Sequence, residues 1–542
     1  MEKVWLKHYG DIPEEVTYDQ YGSMIDMIEE AVEKYGDKPA FHCGFRDLSF
    51  RDVDQLSRDF AAYLQEGLGL KKGDRIAIML PNILPFPVAM MGIQRAGLVQ
   101  VNVNPLYTPR ELGHQLQDAG AETIVIFNMC TPTLAAVLGD TPVKNVITVE
   151  TDDLLNLYLD SPPVHPALNE FSVRFTEALA TGADMEYTRP EVTQDDLIFL
   201  QYTGGTTGLS KGAMLTHGNL LANMAGYDAV AGHLTVEGEE TIITALPLYH
   251  IFALMVNLLT YFKYGAKNVL IPNPRDMVAF VAELKRHRMT AFSGVNTLFG
   301  GLMMHPEFPT VDFSGLKITW AGGSSTATPI AQKWAQVTGV EIREGYGLSE
   351  TSPVVSINPP SFPKFTGTIG IPFPSTEISL RDDQGNEVAM GEPGELCVRG
   401  PQVMQGYWNR EGATSKVFTD DGFFMTGDIA ICTEDAMFKI VDRKKDMIIV
   451  SGFNVYPLEI EEVAAGIKGV VETASVGVAD AKTGEAVKLF IAPKVEGLTA
   501  EAVIAHCREN LTGYKVPKQV EFMDELPKSA VGKVLRRELR DA

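Results

Sequence analysis

Leu197-Ile-Phe-Leu-Gln-Tyr202 runs straight into Thr203-Gly-Gly-Thr-Thr-Gly-Leu-Ser-Lys-Gly212. The first six residues have the apolar run of a strand. The next six hold three glycines and three threonines, which contribute little to a core. They let backbone N–H groups and hydroxyls come close to phosphate oxygens, and Lys211 adds a positive charge. The order differs from a Walker A loop, which needs Gly-Lys-Ser/Thr. Here Ser210 precedes Lys211 and Gly212 follows it. Alone, the stretch says that a strand feeds a phosphate-binding loop, with a flexible hairpin as the alternative.

On both sides of that strand the chain alternates helical and strand patterns. Residues 52–64 and 88–95 have helical spacing; 75–79, 99–103, 121–127, 145–149, 242–245 and 268–271 read as strands. This rhythm predicts an α/β fold with layered parallel sheets. From about 370 to 442 the character changes to short β runs (377–380, 394–399, 438–441) separated by Gly, Pro and Asp. That pattern predicts a small antiparallel unit or β-barrel. After Asp442 comes an α+β segment of about 100 residues. It has an amphipathic helix from Pro457 carrying Ile460, Val463, Ala464 and Ile467, strands at 474–478 and 487–493, and a helix at 500–509 behind a Thr499 cap. The expected organisation is an N-terminal domain over 1–442, made of two α/β subdomains and the β-rich unit, then a small mobile domain over 443–542 with its hinge at 442–446.

At 542 residues a single core is too small an expectation. The amino end lacks a secretory apolar region. The longest apolar stretches, 251–262 and 87–101, are too short to span a bilayer or carry Arg95. Five scattered cysteines (Cys43, Cys130, Cys397, Cys432, Cys507) suit reduced thiols better than a disulfide framework, and they do not cluster as metal ligands. The expected compartment is the cytoplasm. A net charge of −24 disfavours nucleic acid and anionic membranes as partners. That excess lies entirely in 1–442, because 443–542 holds 15 Lys/Arg and 15 Asp/Glu.

Further motifs follow in order: Gly345-Tyr-Gly-Leu-Ser-Glu350, Thr426-Gly-Asp428, Asp442-Arg-Lys-Lys-Asp446, Ser451-Gly-Phe-Asn-Val-Tyr-Pro457 and Pro527-Lys-Ser-Ala-Val-Gly-Lys533. With the 203–212 loop, the set resembles the adenylate-forming superfamily of acyl-CoA synthetases, luciferases and peptide-synthetase adenylation domains. Asn104-Pro-Leu-Tyr-Thr-Pro-Arg-Glu-Leu112, Ala245-Leu-Pro-Leu-Tyr-His-Ile-Phe-Ala253 and Leu511-Thr-Gly-Tyr-Lys-Val-Pro517 are similar to its bacterial long-chain fatty acid–CoA ligases.

The resemblance implies a carboxylate that attacks the α-phosphate of ATP, then passes its acyl group to coenzyme A. Two anions must meet, so cations and fixed N–H dipoles are the main requirement. It places Lys533, Glu350, His250 and Thr206 in the catalytic set. Thr203, Gly204, Gly205, Thr206, Thr207, Gly208 and Lys211 would surround the phosphates, with Glu350 and Thr203 holding Mg²⁺. Tyr346, between Gly345 and Gly347 and near Ser349, would lie against adenine, flanked by Gly323 and Ser324. Asp428 would accept from the ribose hydroxyls and Arg443 would touch ribose or phosphate. Lys445 would be an exposed hinge, and Gly452 and Phe453 would line a pantetheine tunnel.

His250 would sit beside the acyl carboxylate. The lack of an Asp near it, with Phe252, Leu254 and Met255 following, favours an acid without a positive charge. Trp320, just before Ala-Gly-Gly, is larger than the residue expected there. It is expected to narrow the acyl tunnel and shift preference toward medium chains. Other readings stay open: an aryl- or medium-chain ligase, transfer to a carrier protein, a luciferase-like side activity, or a non-catalytic binding homologue. Residues 150–188 are short and acid-rich where enterobacterial ligases carry an apolar, basic insert. At most transient peripheral association with the inner membrane is expected, and a homodimer is open.

Overall fold

The computed structural model describes residues 2–155, 160–203, 210–493, 497–529 and 532–540. Two large sheets carry its bulk. The first runs, edge to edge, Ser172–Arg174, Asn145–Val149, Thr123–Phe127, Arg75–Met79, Val99–Asn102, β1 (Leu197–Thr203) and β2 (Lys211–Thr216). Its pairs are parallel except the last, where β2 folds back on β1 with Thr203 opposite Lys211. Runs such as Thr123-Ile-Val-Ile-Phe127 are apolar on both faces because helices cover both faces of a parallel sheet. After β2 the chain enters α1 (His217–Ala231). The Thr216 hydroxyl caps it by accepting from Asn219 N–H at 3.1 Å, and Asn219 Oδ1 returns the bond at 2.9 Å.

The second sheet has nine strands. Its middle is parallel: β3 (Ile318–Ala321) lies between Ala291–Gly294 and β4 (Ile342–Gly347). In the two large sheets and the β-rich segment the expected strands appear within a residue or two of their predicted ends, whereas those expected at 474–478 and 487–493 extend to Val470–Asp480 and Gly484–Pro493. The helix expected at 52–64 runs from Phe50 to Ala62 instead. Its start is fixed by the Ser49 side chain, which accepts from Asp52 N–H at 3.0 Å. Arg95, which interrupts an apolar run, is fully buried and paired with Glu29 at 3.3 Å and with Asp54. Its charge is neutralised inside the domain.

The β-rich segment forms a four-stranded antiparallel sheet, Glu377–Arg381, Gly394–Arg399, β5 (Phe424–Cys432) and β6 (Phe438–Arg443). It is the antiparallel unit of the two forms expected, an open sheet of four strands and not a closed barrel. Its β6 edge is covered instead, by a bridge from Phe438 to Gly370 and by packing of α2 (Pro457–Ala465). A separate five-stranded mixed sheet follows, built from Ile448–Val450, Phe453–Val455, Val470–Asp480, Gly484–Pro493 and Gln519–Phe522. The Thr499 cap appears as expected, its hydroxyl accepting from Ala502 N–H at 3.3 Å. All five cysteines are buried free thiols. Among the described residues no helix is long and apolar enough to cross a membrane.

Candidate active site

The C-terminal ends of β1, β3 and β4 converge with the Thr426–Asp428 segment inside β5, as expected for ligand sites on open α/β sheets. At the end of β1, Thr203 faces Lys211 across the strand pair. Gly204, Gly205, Thr206, Thr207 and Gly208 lie outside the described residues. The Lys211 ammonium stands 4.6 Å from the centre of the Tyr407 ring, a cation–π contact. Tyr407 donates its hydroxyl hydrogen to Glu350 Oε1 at 2.7 Å. The segment carrying Tyr407 is docked on the β2 side of the hairpin: Trp408 N–H donates to Gly212 O at 2.8 Å, and Met404 N–H to Glu350 O at 2.8 Å. Glu350 is buried, and burial pushes its carboxyl upward while the Tyr407 hydroxyl opposes the shift. A buried carboxylate with one hydroxyl donor suits a hard cation.

Strand β4 presents Tyr346. Its phenol donates to Asp428 Oδ2 at 2.6 Å, and Arg443 Nε lies 3.5 Å from Asp428 Oδ1. Asp428 and Arg443 are direct register partners across β5 and β6, so the antiparallel pairing itself brings them together. Burial and the neighbouring Asp428 carboxylate push the Tyr346 phenol well up, keeping it a donor. The Thr426 hydroxyl accepts from Asp428 N–H at 3.1 Å and donates to Leu396 O at 2.7 Å, which fixes the turn before the carboxylate. Gly347 is forced by packing: a Cβ there would lie 2.0 Å from Pro353 O. Gly345 also sits in β4, and Ser349 opens the short 3₁₀ turn that carries Glu350. Gly323 and half-buried Ser324 follow β3, with Gly323 at φ +77°. A Cβ on Gly322 would lie 3.2 Å from the Phe252 ring and 3.4 Å from Gly345 O.

Lys533 arrives from the far end of the chain. Ser529 N–H donates to Lys533 O at 2.7 Å and Lys533 N–H to Ser529 Oγ at 3.2 Å, giving a tight hairpin. Gly532 presses the hairpin onto the large domain: its Cβ would lie 2.7 Å from Thr297 Oγ1 and 3.4 Å from Val295. Burial, then the charge of Arg443, pushes the Lys533 ammonium down to about 7, against the pull of Asp428. His250 is pushed down to about 4, first by burial and then by the Lys533 charge. Its Nδ1 accepts from Phe252 N–H at 3.3 Å, so the neutral ring carries its proton on Nε2.

Lys533, His250, Glu350, Asp428, Tyr346, Arg443 and Lys211 therefore gather at one place. Lys445, Gly452 and Phe453 are placed differently. Lys445 lies in the turn after β6 and is half-buried rather than exposed. Burial beside Arg443 pushes its ammonium down to about 8. Gly452, at φ +83°, has open space where a Cβ would be, and Phe453 is 56% exposed and stacks on Tyr514 at 4.8 Å. Trp320 is buried on β3 against Tyr227.

Two site residues were missed by sequence reasoning. Tyr407 sits in Gln405-Gly-Tyr-Trp408, an aromatic pair after a glycine with no helical or strand period, and only that oddity marks it. Glu344, two residues before Tyr346, is fully buried on β4, accepts from Thr326 N–H at 3.3 Å and is pushed up to about 8 by burial. A charge inside a buried strand run was its signal.

Residues 28–408 match the AMP-binding enzyme family, and 459–533 match the AMP-binding enzyme C-terminal domain. The chain belongs to that family of AMP-binding enzymes. It is 52% identical over 555 aligned positions to a long-chain-fatty-acid–CoA ligase of Escherichia coli O157:H7, covering all of this chain and 98% of that one. A long-chain-fatty-acid–CoA ligase of Bacillus subtilis (strain 168) is 36% identical, with 99% and 98% covered. Among solved structures, ATP-bound MatB from Rhodopseudomonas palustris superposes with TM-score 0.81 at 27% identity, over 95% of this chain and 98% of that one.

Proposed function

We propose that this protein is an ATP-dependent, AMP-forming long-chain fatty acid–CoA ligase. In the first half-reaction a carboxylate oxygen of the acid attacks the α-phosphorus of ATP. The bond to the bridging oxygen breaks and pyrophosphate leaves. In the second, the thiol of coenzyme A attacks the acyl carbonyl, its proton is lost, and AMP departs. The observation that carries the reading is the approach of Lys533 to His250 beside the Tyr346–Asp428–Arg443 cluster. A cation and a ring N–H donor thus stand together where two anions would have to meet.

In this reading Lys533 bridges carboxylate and α-phosphate, and His250 Nε2–H orients the carboxylate. Asp428 accepts from the ribose hydroxyls while Tyr346 covers the base. Glu350 and Thr203 would hold Mg²⁺, which neutralises charge on the departing phosphates when bound. The segment 443–542 acts as a mobile domain turning at 442–446, and Gly452 and Phe453 meet pantetheine after that turn. The expected compartment is the cytoplasm.

ATP–pyrophosphate exchange against a panel of fatty, aryl and amino acids, with and without coenzyme A, tests the whole reading. Exchange with fatty acids alone, and thioester only with coenzyme A, is expected; exchange driven best by aryl or amino acids would overturn it. Asp428→Asn keeps the shape and removes the charge. A hydrogen bond to an ionised group contributes about 1.5–3 kcal/mol, so KM for ATP is expected to rise about tenfold or more. An unchanged KM removes Asp428 from the ribose. Glu350→Gln is expected to raise the Mg²⁺ concentration for half-maximal exchange about tenfold; an unshifted Mg²⁺ titration removes it from the metal.

A further inference from the structure

At one edge of the nine-stranded sheet, Pro39–Cys43 turns back into the antiparallel strand Arg46–Ser49. Phe41 and Cys43 are buried in the main core, so His42 between them takes the opposite face. The register sets His42 directly against Asp47, and His42 Nδ1 lies 2.7 Å from Asp47 Oδ1. The helix Met277–Leu284 brings Glu283, and one turn later His287, to the same spot. His42 Nε2 is 3.0 Å and His287 Nε2 is 2.9 Å from a single oxygen, Glu283 Oε1. The two rings stand 4.4 Å apart, edge-on. Arg286 donates to the other oxygen, Oε2, at 2.8 Å.

Donors and acceptors in this cluster do not balance without a cation. A neutral imidazole has one N–H, and an ionised carboxylate only accepts. His42 has a carboxylate oxygen at each ring nitrogen. When its hydrogen goes to Asp47, the Nε2 lone pair faces Glu283 Oε1 with nothing between them. A proton fills that gap by making an imidazolium, and a metal ion fills it with a bond to each side. The second imidazole favours the metal. Two ring nitrogens and a carboxylate oxygen converge, with the ligand atoms all within 4.8 Å of one another. Around Zn²⁺, bound at about 2.0–2.2 Å, tetrahedral neighbours lie about 3.3 Å apart, so the side chains need part only slightly. The Nδ1 contact with Asp47 is then the outer carboxylate that fixes a ligating ring and its tautomer.

Two cations face the cluster. Arg286 is engaged on Oε2 and over the Phe45 ring, while Lys267 Nζ makes a long 3.5 Å contact with His287 Nδ1 and must swing aside on its stem. The His42, Glu283 and His287 side chains keep 12%, 13% and 8% of their surface exposed, which gives an ion a way in from solvent.

We propose that His42, Glu283 and His287 form a binding site for a divalent transition-metal ion of the Zn²⁺ class, with water in the fourth position. Nitrogen ligands select such an ion over Mg²⁺. The site is separate from the nucleotide cluster. From β3 the sheet runs through Ala291–Gly294, Thr241–Thr244 and Lys267–Leu270 before it reaches Pro39–Cys43, about 19 Å at the usual strand spacing. The ion staples the edge hairpin to the helix Met277–Leu284 and takes no part in acyl activation.

The test is equilibrium dialysis of the full chain, stripped with a chelator, against Zn²⁺ in excess Mg²⁺ and without ATP. One Zn²⁺ per chain is expected at this site in wild type and in Glu350→Gln alike, which separates it from any ion held at the nucleotide cluster. Asp47→Asn, which removes the carboxylate behind His42, should weaken binding about 10–100-fold. His42→Asn and His287→Asn each remove a ligand and should weaken it at least about 100-fold. ATP–pyrophosphate exchange should stay within about twofold in all three, because none of them touches the nucleotide cluster. No Zn²⁺ bound by wild type, or affinity unchanged in either histidine variant, would overturn the site and leave hydrogen-bonded pairs around an imidazolium. If a histidine variant fails to fold, Asp47→Asn, altered at a half-exposed side chain, decides: unchanged affinity there overturns the site.

Discussion

Lys533→Ala is expected to abolish acyl-adenylate formation, lowering ATP–pyrophosphate exchange by about 10³-fold or more, as loss of a cation at a transferring phosphoryl group does. Thioester formation from supplied acyl-AMP and coenzyme A should stay within a few fold of wild type, because in that step the lysine has no pentavalent phosphorus to stabilise. The protein should fold, since the hairpin is held by backbone bonds between Ser529 and Lys533 and by the Gly532 contact with Thr297. Equal loss of both half-reactions would remove Lys533 from the adenylation step. The pH profile gives a second readout. Lys533 titrates near 7 in the empty site, pushed down by burial and Arg443. Only its protonated form bridges two anions. The adenylation kcat/KM for ATP, which reports the free enzyme, should therefore fall as pH rises through about 7. Bound anions favour the cation, so kcat should hold to higher pH.

The parallel strands were legible because burial on both faces writes apolar runs such as Arg75–Met79 and Thr123–Phe127 into the sequence. The Thr203–Lys211 loop, Asp428 and Lys533 were legible for the opposite reason: polar groups stood where a core would not place them. What the sequence concealed was tertiary. Tyr407 matters through a hydroxyl bonded to Glu350, 57 positions away, which no local pattern announces. Lys445 looks like a surface charge until the turn after β6 folds it against Arg443.

Lys445→Pro should separate the two half-reactions from the other side, leaving ATP–pyrophosphate exchange within about twofold and lowering acyl-CoA formation about 10²-fold. Proline fixes φ and removes an N–H. Among the described residues the Lys445 N–H donates to no acceptor. The turn is held by its neighbours, through Lys444 N–H to Gly427 O at 2.9 Å and Asp446 N–H to Arg443 O at 2.9 Å. The present arrangement, with Lys533 beside Asp428 and Arg443, thus loses no hydrogen bond to the substitution. The second step demands another arrangement. On the proposed reading Lys533 would occupy the approach to the acyl carbonyl, while Gly452 and exposed Phe453 would have to be brought to it. Locking φ at one position between β6 and Ile448–Val450 stops the turn that would exchange them. Burial beside Arg443 holds the Lys445 ammonium down at about 8, a cost that the proposed turn would relieve if it exposed the side chain to water. That cost fades as pH rises through about 8 and the ammonium loses its charge. Lys445→Pro protein that makes acyl-CoA from acid and ATP at the wild-type rate would overturn the hinge.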